Sequence, residues 1–404
     1  MPPLAPRTPA GQDLLALADR LAPVLEEHAA AHDRSGAFAR PSLVALRDAG
    51  YLLAPVPAAL GGLGVDSLHD LVVAAVRLAR ADASVVIGVN MHLLAVLGLR
   101  RVWNVAVAAG DQARADGAGA ALRALADERT VLAAAVSEHG QDLTRPRTAA
   151  VRRPGGWRVD GAKAFCTMAP AATTFYTAVR YADAEGRDRY GYAFIPAGAA
   201  GVTVHDDWDA LGMRGSGSSS VTFDGVEIDA EALRGGFLLG DATGYMARNL
   251  PAALLHAAAA LGVAEAAHDH ALALARRREA GDGRAVMLAA ANATDLAAAR
   301  ATLAAAATDV DDRHAARPAR ALPDDEVVAA FTATQAAKVV TGEAAARVVE
   351  RALELSGGAG YRAASPLARA YRDVRATMFM HPLGASRAHD FLGQAALGLP
   401  PRLG

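Results

Sequence analysis

The sequence predicts an α+β protein in which a β-domain lies between two helical domains. Apolar residues recur every three or four positions from about residue 11 to 130, the spacing of helices. Apolar and polar residues alternate between 131 and 235, the spacing of strands, and the helical spacing returns from Asp241 onward. We therefore expect domains at 1–130, 131–235 and 236–404. This order predicts a β-barrel held between helical domains.

The N-terminal domain is predicted to be all-α. Leucine and alanine dominate segment 14–26, where their spacing forms one apolar helix face. The proline- and glycine-rich segment 55–64 cannot continue a helix, so we expect a tight turn there.

The middle domain is predicted from four segments, 157–160, 173–181, 189–195 and 220–228. In each of them β-branched or aromatic residues alternate with polar ones, and glycine-rich turns separate them. About 100 residues are therefore assigned to strands and their turns.

The C-terminal domain is predicted to be helical, with breaks at glycines and prolines. Its longest apolar tract, 250–263, is interrupted by His256 and followed at once by Glu265. That tract is too short to span a bilayer, and the residues that follow it are too polar. We therefore expect a buried helix.

Charge and cysteine content narrow the classes of partner. The net charge is -2 and no run of basic residues is longer than three, which argues against nucleic acid and membrane surfaces and favours a small-molecule partner. Cys166 is the only cysteine, so an intrachain disulfide is excluded. The start of the chain lacks the features of a signal peptide, and we expect a cytoplasmic protein.

Common catalytic signatures are absent from the sequence. No glycine-rich phosphate loop and no dinucleotide fingerprint occurs. His268, Asp269 and His270 point to different sides of a helix, so no metal site is predicted. Cys166 has no histidine nearby in sequence, and covalent catalysis is not supported. Acid–base or cofactor chemistry remains.

Three segments, 211–228, 356–361 and 371–373, occur in the order and spacing of one flavoenzyme family. On these motifs the chain resembles the acyl-CoA dehydrogenases along essentially its whole length. The resemblance implies an N-terminal helical domain, a middle β-barrel and a C-terminal four-helix bundle. It also implies FAD as the cofactor, with FMN or reduced flavin from a reductase as the alternative.

The resemblance implies roles for residues in the middle domain. Segment 136–142 and segment 163–167 match places where the family carries hydroxyl groups against the flavin. Ser137 would then bind the pyrimidine edge of the ring, Thr167 would lie near N5, and Phe165 would flank the ring. Arg214 and Ser216, in the 211–218 loop, are candidates to line the substrate cavity, and the alternative for Arg214 is that it only braces the loop.

Further contacts are implied between subunits. Arg278 matches a family arginine that reaches the FAD of a neighbouring subunit, and Gly357 and Gly358 match glycines that approach the same dinucleotide. These residues imply a homodimer or homotetramer.

His381 stands where most of the family carries its catalytic glutamate, and the alternative position of that glutamate holds Ala252. A neutral imidazole with an ordinary pKa near 6.5 is an adequate base at pH 7. His381 is therefore the candidate catalytic residue, either as a base or as a proton donor in an oxygenase.

Three functions follow as alternatives. The first is desaturation of an acyl or acyl-thioester substrate, with hydride transfer to the flavin and an electron acceptor as partner. The second is a monooxygenase that takes reduced flavin from a reductase and oxidises a heteroatom or an aromatic carbon. The third is a binding or scaffold protein of the same fold without catalysis.

Overall fold

The computed structural model describes residues 3–140, 142–276, 283–400 and 402–403. The α+β class and the order helices, strands, helices are confirmed in these residues. The helices before the strands are α1 (Pro9–Ser35), α2 (Arg40–Asp48), α3 (Leu68–Ala109) and α4 (Gln112–Asp127). The strands are β1 (Leu132–Ala135), β2 (Ala149–Arg153), β3 (Gly156–Lys163), β4 (Thr174–Ala182), β5 (Asp188–Pro196), β6 (Val202–Val204), β7 (Val221–Asp229) and β8 (Leu233–Leu238). The helices after them are α5 (Ala242–Ala275), α6 (Gly283–Ala315), α7 (Asp324–Ser356), α8 (Pro366–Asp373) and α9 (Ala385–Ala396).

The long helices α3 and α5 pack against each other and form the centre of the molecule. Each contains a stretch that is long and apolar enough to cross a membrane, but 72% and 89% of these stretches are buried inside the protein. The buried helix predicted at 250–263 is confirmed, and it is part of the longer α5. Helix α3 is kinked at Asp82, which has φ -150° and ψ 100°.

The eight strands form one sheet in the order β6-β7-β3-β2-β4-β5-β8, and β1 pairs in parallel with β4. The sheet curls around an apolar core, because Phe175 on β4 lies 6.2 Å from Phe223 on β7 although two strands separate them. No pairing joins β6 to β8 in the described residues, so the predicted barrel is open along that seam.

The C-terminal bundle consists of the three long helices α5, α6 and α7, with α8 and α9 packed against α7. A buried carboxylate ties this bundle to the N-terminal domain. Glu265 on α5 accepts hydrogen bonds from Arg80 on α3 at 3.0 Å and from Arg300 on α6 at 2.6 Å. The two arginines compensate a charge that would otherwise be costly to bury.

Candidate active site

A cavity of about 2310 Å³ lies between the middle sheet, α3, α5 and the segment 375–387. Its volume exceeds the roughly 300–1,000 Å³ that one small ligand usually occupies, so it has room for a cofactor together with a substrate. The sheet lines it with aromatic side chains: Tyr176, Tyr192, Phe194 and Phe237.

A buried ion pair holds together the two segments that carry the predicted flavin contacts. The ammonium of Lys163 at the end of β3 donates to Glu138 Oε1 at 2.7 Å and to the carbonyl of Ala178 at 2.7 Å. The same Glu138 accepts hydrogen bonds from the backbone N–H and the hydroxyl of Thr148. Burial alone would raise the pKa of Glu138, but Lys163 and these hydrogen bonds lower it below its ordinary value. Glu138 is therefore an ionised structural anchor.

Ser137, Phe165 and Thr167 line the same cavity, and their contacts with a flavin remain predictions. The backbone N–H of Ala164 donates to the carbonyl of Ser137 at 2.9 Å, which sets the two segments side by side. Phe165 has a φ of 55° and is 61% exposed, which is unusual for a phenylalanine. The Thr167 hydroxyl accepts from Ser218 Oγ at 3.0 Å. Two hydroxyls and an open aromatic face thus meet at one edge of the cavity.

The Thr167 segment lies so close to α3 that the helix needs a glycine there. A Cβ on Gly88 would lie 2.3 Å from Met168 Cγ and 3.3 Å from Thr167 Cγ2. Because the first distance is far below van der Waals contact, any larger residue would push the Thr167 segment toward the cavity.

The 211–218 loop is fixed by the 371–373 segment, so two of the three motifs interlock. The backbone N–H of Met213 donates to Asp373 Oδ1 at 2.6 Å, and a Cβ on Gly212 would lie 2.4 Å from the backbone of Arg372. Burial raises the pKa of Asp373 to about 7. The Arg372 guanidinium binds both oxygens of Asp33 on α1.

Arg214 and Ser216 were expected to line the substrate cavity, but neither is among the residues that line it. Arg214 donates to the carbonyls of Asp33 and Ala210 and pairs with Asp209 at 3.1 Å. Ser216 is fully buried and bonds to Ser218 Oγ at 2.7 Å. Both residues brace the loop from behind, and the neighbours Gly212, Met213 and Ser218 line the cavity instead.

His381 lines the cavity and is held by α5. Its Nε2 lies 2.7 Å from Asn249 Oδ1, and its ring stacks edge-on to Tyr245 at 6.0 Å. Burial, and then the charge of Lys338, lower the pKa of His381 to about 3. The imidazole is therefore neutral at pH 7, and it is a weak base because its affinity for a proton is low.

The turn that carries His381 is organised by Lys338 of α7. The ammonium of Lys338 donates to the carbonyls of Met380, His381 and Leu383, the latter two at 3.2 and 2.7 Å. Burial lowers the pKa of Lys338 to about 7.

His256 is a cavity residue that the sequence analysis treated only as an interruption of an apolar tract. It is 5% exposed, and neither ring nitrogen has a hydrogen-bond partner among the described residues. Asn249 and His256 are seven residues apart on α5 and therefore share one face, two turns apart. We call Asn249, His256 and His381 the polar wall. An isolated histidine within a run of alanine and leucine was the signal available for it.

The polar wall is neutral. Burial, followed by Lys338 and His381, lowers the pKa of His256 well below 6.5. A neutral imidazole has one N–H donor and one nitrogen acceptor; Nε2 of His381 is already engaged by Asn249 Oδ1, whereas both buried nitrogens of His256 have no partner among the described residues. Leaving both nitrogens of a buried His256 unpaired costs about 1–3 kcal/mol for each group, so the wall is suited to a polar ligand.

The residues expected to contact a second subunit lie elsewhere. Gly357 and Gly358 follow the end of α7 and are not among the residues that line the cavity. Arg278 lies outside the described residues. The roles of these three residues toward FAD remain predictions.

Metal and thiol chemistry find little support in the part of the chain that the structure describes. No group of three or more histidine, cysteine or acidic residues is arranged there to hold a metal ion. Cys166 is buried, and burial raises the pKa of its thiol to about 12. The thiolate that a nucleophile requires is therefore scarce at pH 7.

Models of three domains match the chain: the N-terminal domain of acyl-CoA dehydrogenases at residues 15–102, the middle domain at 132–226 and the C-terminal domain at 246–386. An amino sugar nitrososynthase from Streptomyces rubradiris is 35% identical over 97% of this chain and 91% of its own. The L-evernosamine nitrososynthase from a Micromonospora species is 34% identical over 98% and 92%.

A solved structure is also similar along its whole length. It is KijD3 in complex with FMN and dTDP-3-amino-2,3,6-trideoxy-4-keto-3-methyl-D-glucose, with a TM-score of 0.89 and 34% identity. The match covers 99% of this chain and 97% of that one.

The first prediction concerns the buried carboxyl of Asp373. Its folded-state pKa of about 7 lies above the ordinary 3.8, so the folded protein keeps a proton that the unfolded chain releases. Its contribution to stability is full below about pH 4 and is lost as pH rises to about 7, a change of about 4 kcal/mol. Asp373→Asn keeps an oxygen for Met213 and cannot ionise. We expect its unfolding temperature, relative to the wild type, to rise from pH 5 to pH 8, and a pH-independent difference would refute this account.

The second prediction concerns His381. Because its pKa is about 3, its imidazole stays neutral throughout the range in which the protein is handled. In protein labelled with ¹³C-histidine, the His381 resonance, assigned by its loss in His381→Gln, should keep the chemical shift of a neutral imidazole between pH 5 and pH 8, apart from a small shift near pH 7 as the neighbouring Lys338 titrates. A titration centred near 6.5, the ordinary value, would show instead an imidazole open to water.

Proposed function

Because this chain belongs to the acyl-CoA dehydrogenase family, we propose that it is a flavin-dependent monooxygenase of that family that oxidises the amino group of a nucleotide-linked amino sugar. The polar wall carries this proposal, because it gives the cavity hydrogen-bonding groups where an acyl chain would need apolar ones. Relatives that match nearly the whole chain are nitrososynthases, which supports the same reaction class.

The residues at the Ser137 edge of the cavity fit a flavin. The hydroxyls of Ser137 and Thr167 suit the polar edge of its ring, and the exposed face of Phe165 suits the flat ring itself. Trp208 extends this aromatic surface, since its ring lies 6.2 Å from that of Phe165. When bound in reduced form, the flavin supplies the two electrons with which O₂ is activated.

We favour FMN over the FAD expected from the sequence. The similar KijD3 structure contains FMN. A cofactor that arrives reduced also requires a reductase, which would be the redox partner of this protein.

The reaction balances with one O₂ and one two-electron-reduced flavin for each round. One oxygen atom enters the N–H bond of the primary amine to give a hydroxylamine, and the other leaves as water. A second round, with a second O₂ and a second reduced flavin, converts the hydroxylamine to the nitroso compound and releases two molecules of water. The polar wall would orient the amine through the neutral imidazoles of His256 and His381.

Desaturation is supported less well than oxygenation. Removal of an α-proton requires a base whose pKa lies near the working pH, and the pKa of His381 is about 3. Ala252, at the alternative base position, is buried and carries no acid. A scaffold without catalysis would have a filled or flavin-free cleft, and the open cavity argues against the first of these two forms.

The third prediction is the product. Purified protein, FMN, a flavin reductase with NADH, isotopically labelled O₂ and dTDP-3-amino-2,3,6-trideoxy-4-keto-3-methyl-D-glucose should give a hydroxylamine or nitroso sugar that contains the label. Mass spectrometry of the sugar nucleotide provides the measurement. A parallel reaction with acyl-CoA substrates and an artificial electron acceptor should give no enoyl product, and an enoyl product without O₂ consumption would establish the desaturase instead.

The fourth prediction tests the polar wall with a matched pair of histidines on α5. His256→Leu removes hydrogen-bonding groups from the cavity, so kcat/KM for the amino sugar should fall about 10- to 100-fold. His268 is also buried on α5 but does not line the cavity, and His268→Leu should leave kcat/KM within about two-fold of wild type. Equal losses in the two variants would assign His256 a structural role.

A further inference from the structure

An arginine lies against aromatic rings at the edge of the cavity where α5 begins. The guanidinium carbon of Arg248 lies 3.4 Å from the ring centre of Phe237, 5.1 Å from Tyr190 and 5.6 Å from Tyr192. It donates one hydrogen bond to the Tyr190 hydroxyl. Arg248, Tyr192 and Phe237 all line the cavity.

The charge of Arg248 lacks a counterion in the described residues. It forms no ion pair there, and its Nε and Nη1 are buried without a hydrogen-bond partner. Asp241, the acid at the start of α5, uses its carboxylate to cap the helix at Gly244. A guanidinium remains charged at every pH that a folded protein tolerates, and ring faces offset only about 0.5–2 kcal/mol of its desolvation. The site therefore favours an anion.

A second arginine extends this surface. Arg234 on β8 pairs with Tyr192 on β5 in the sheet, lies 5.2 Å from the ring centre of Phe194 and also lines the cavity. It too forms no ion pair with a described carboxylate. We call Arg234, Arg248, Tyr192, Phe194 and Phe237 the arginine–aromatic wall.

Two arginines beside aromatic rings are suited to one kind of ligand. Guanidinium groups bind phosphate oxygens through paired N–H donors, and aromatic faces stack on a heterocyclic base. An acyl chain by itself would use neither feature, whereas the nucleotide of an acyl-CoA would use both.

We propose that the arginine–aromatic wall binds the phosphate or diphosphate group of a nucleotide, with Arg248 as the main contact. The proposal rests on the proposed function, which brings two phosphate-bearing molecules to the cavity, the nucleotide-linked substrate and the flavin mononucleotide. Both present the same phosphate chemistry to the wall.

The test uses calorimetry to measure binding affinities, without turnover, for pairs of ligands that differ only in their phosphate groups. Wild-type protein should bind dTDP more tightly than thymidine, or FMN more tightly than riboflavin. Arg248→Met should weaken binding of the phosphorylated member about 10- to 100-fold and change the other member less than about two-fold. Loss for dTDP identifies the substrate phosphates as the ligand, and loss for FMN identifies the flavin phosphate.

Control variants separate binding from folding. Arg152 stacks on Trp157 at 4.9 Å outside the cavity, so Arg152→Met should leave all four affinities unchanged. Tyr190→Phe removes the hydrogen bond between Tyr190 and Arg248 but leaves the positive charge of Arg248 in place. We expect this variant to change the four affinities little. Arg234 is exposed, so Arg234→Met should fold even if Arg248→Met is unstable. We expect it also to weaken binding of the phosphorylated ligand.

The proposal is overturned if Arg248→Met and Arg234→Met leave both phosphorylated ligands bound as in wild type, or if Arg152→Met weakens them equally. This outcome is independent of the proposed function, because a protein could oxidise the amino sugar and yet bind its phosphates elsewhere. Conversely, loss of dTDP binding in the variants without any labelled product would retain the phosphate site and reject the reaction.

Discussion

The ion pair between Lys163 and Glu138 is the interaction on which the candidate cofactor site depends. It is buried inside the middle domain, and each partner makes further hydrogen bonds to backbone or hydroxyl groups, so neither charge is left uncompensated. One partner directly follows Ser137, and the other precedes Phe165 and Thr167 by two and four residues. Two loops that are separate in the sheet are thereby fixed relative to each other. The relative position of the Ser137 and Thr167 segments at the edge of the cavity follows from this constraint.

The two walls of the cavity differ in charge, so each is suited to a different part of a ligand. The polar wall is neutral, because burial lowers the pKa of both imidazoles, and it offers direction through hydrogen bonds. The arginine–aromatic wall is cationic and offers attraction together with flat surfaces for stacking. A molecule with a nitrogen-bearing sugar at one end and a phosphorylated nucleoside at the other would match both walls. A fatty acyl thioester would match the cationic wall through its nucleotide, but not the polar one.

The sequence predicted the fold class and the order of the elements because alternation and helical spacing are local properties. It also brought Ser137, Phe165 and Thr167 to one cavity, since motifs with a defined spacing carry their geometry with them. Arg214 and Ser216 were placed on the wrong side of their loop, because the direction of an arginine depends on distant acceptors such as the carbonyl of Asp33. His256 and Arg248 were missed for a related reason. Each is a polar residue in a mostly apolar part of α5, and only the packing of this helix in the folded protein reveals what they face.

The turn around His381 depends on how many hydrogens the Lys338 nitrogen carries. Three backbone carbonyls accept from it, and only the ammonium form has three hydrogens to donate. Since the pKa of Lys338 is lowered to about 7, a proton is exchanged there under ordinary cellular conditions. The neutral amine of Lys338 has two hydrogens and can donate to only two carbonyls at once. One of the three carbonyls therefore loses its hydrogen bond when the proton leaves. The conformation of the turn around His381 therefore depends on whether the Lys338 nitrogen carries two hydrogens or three.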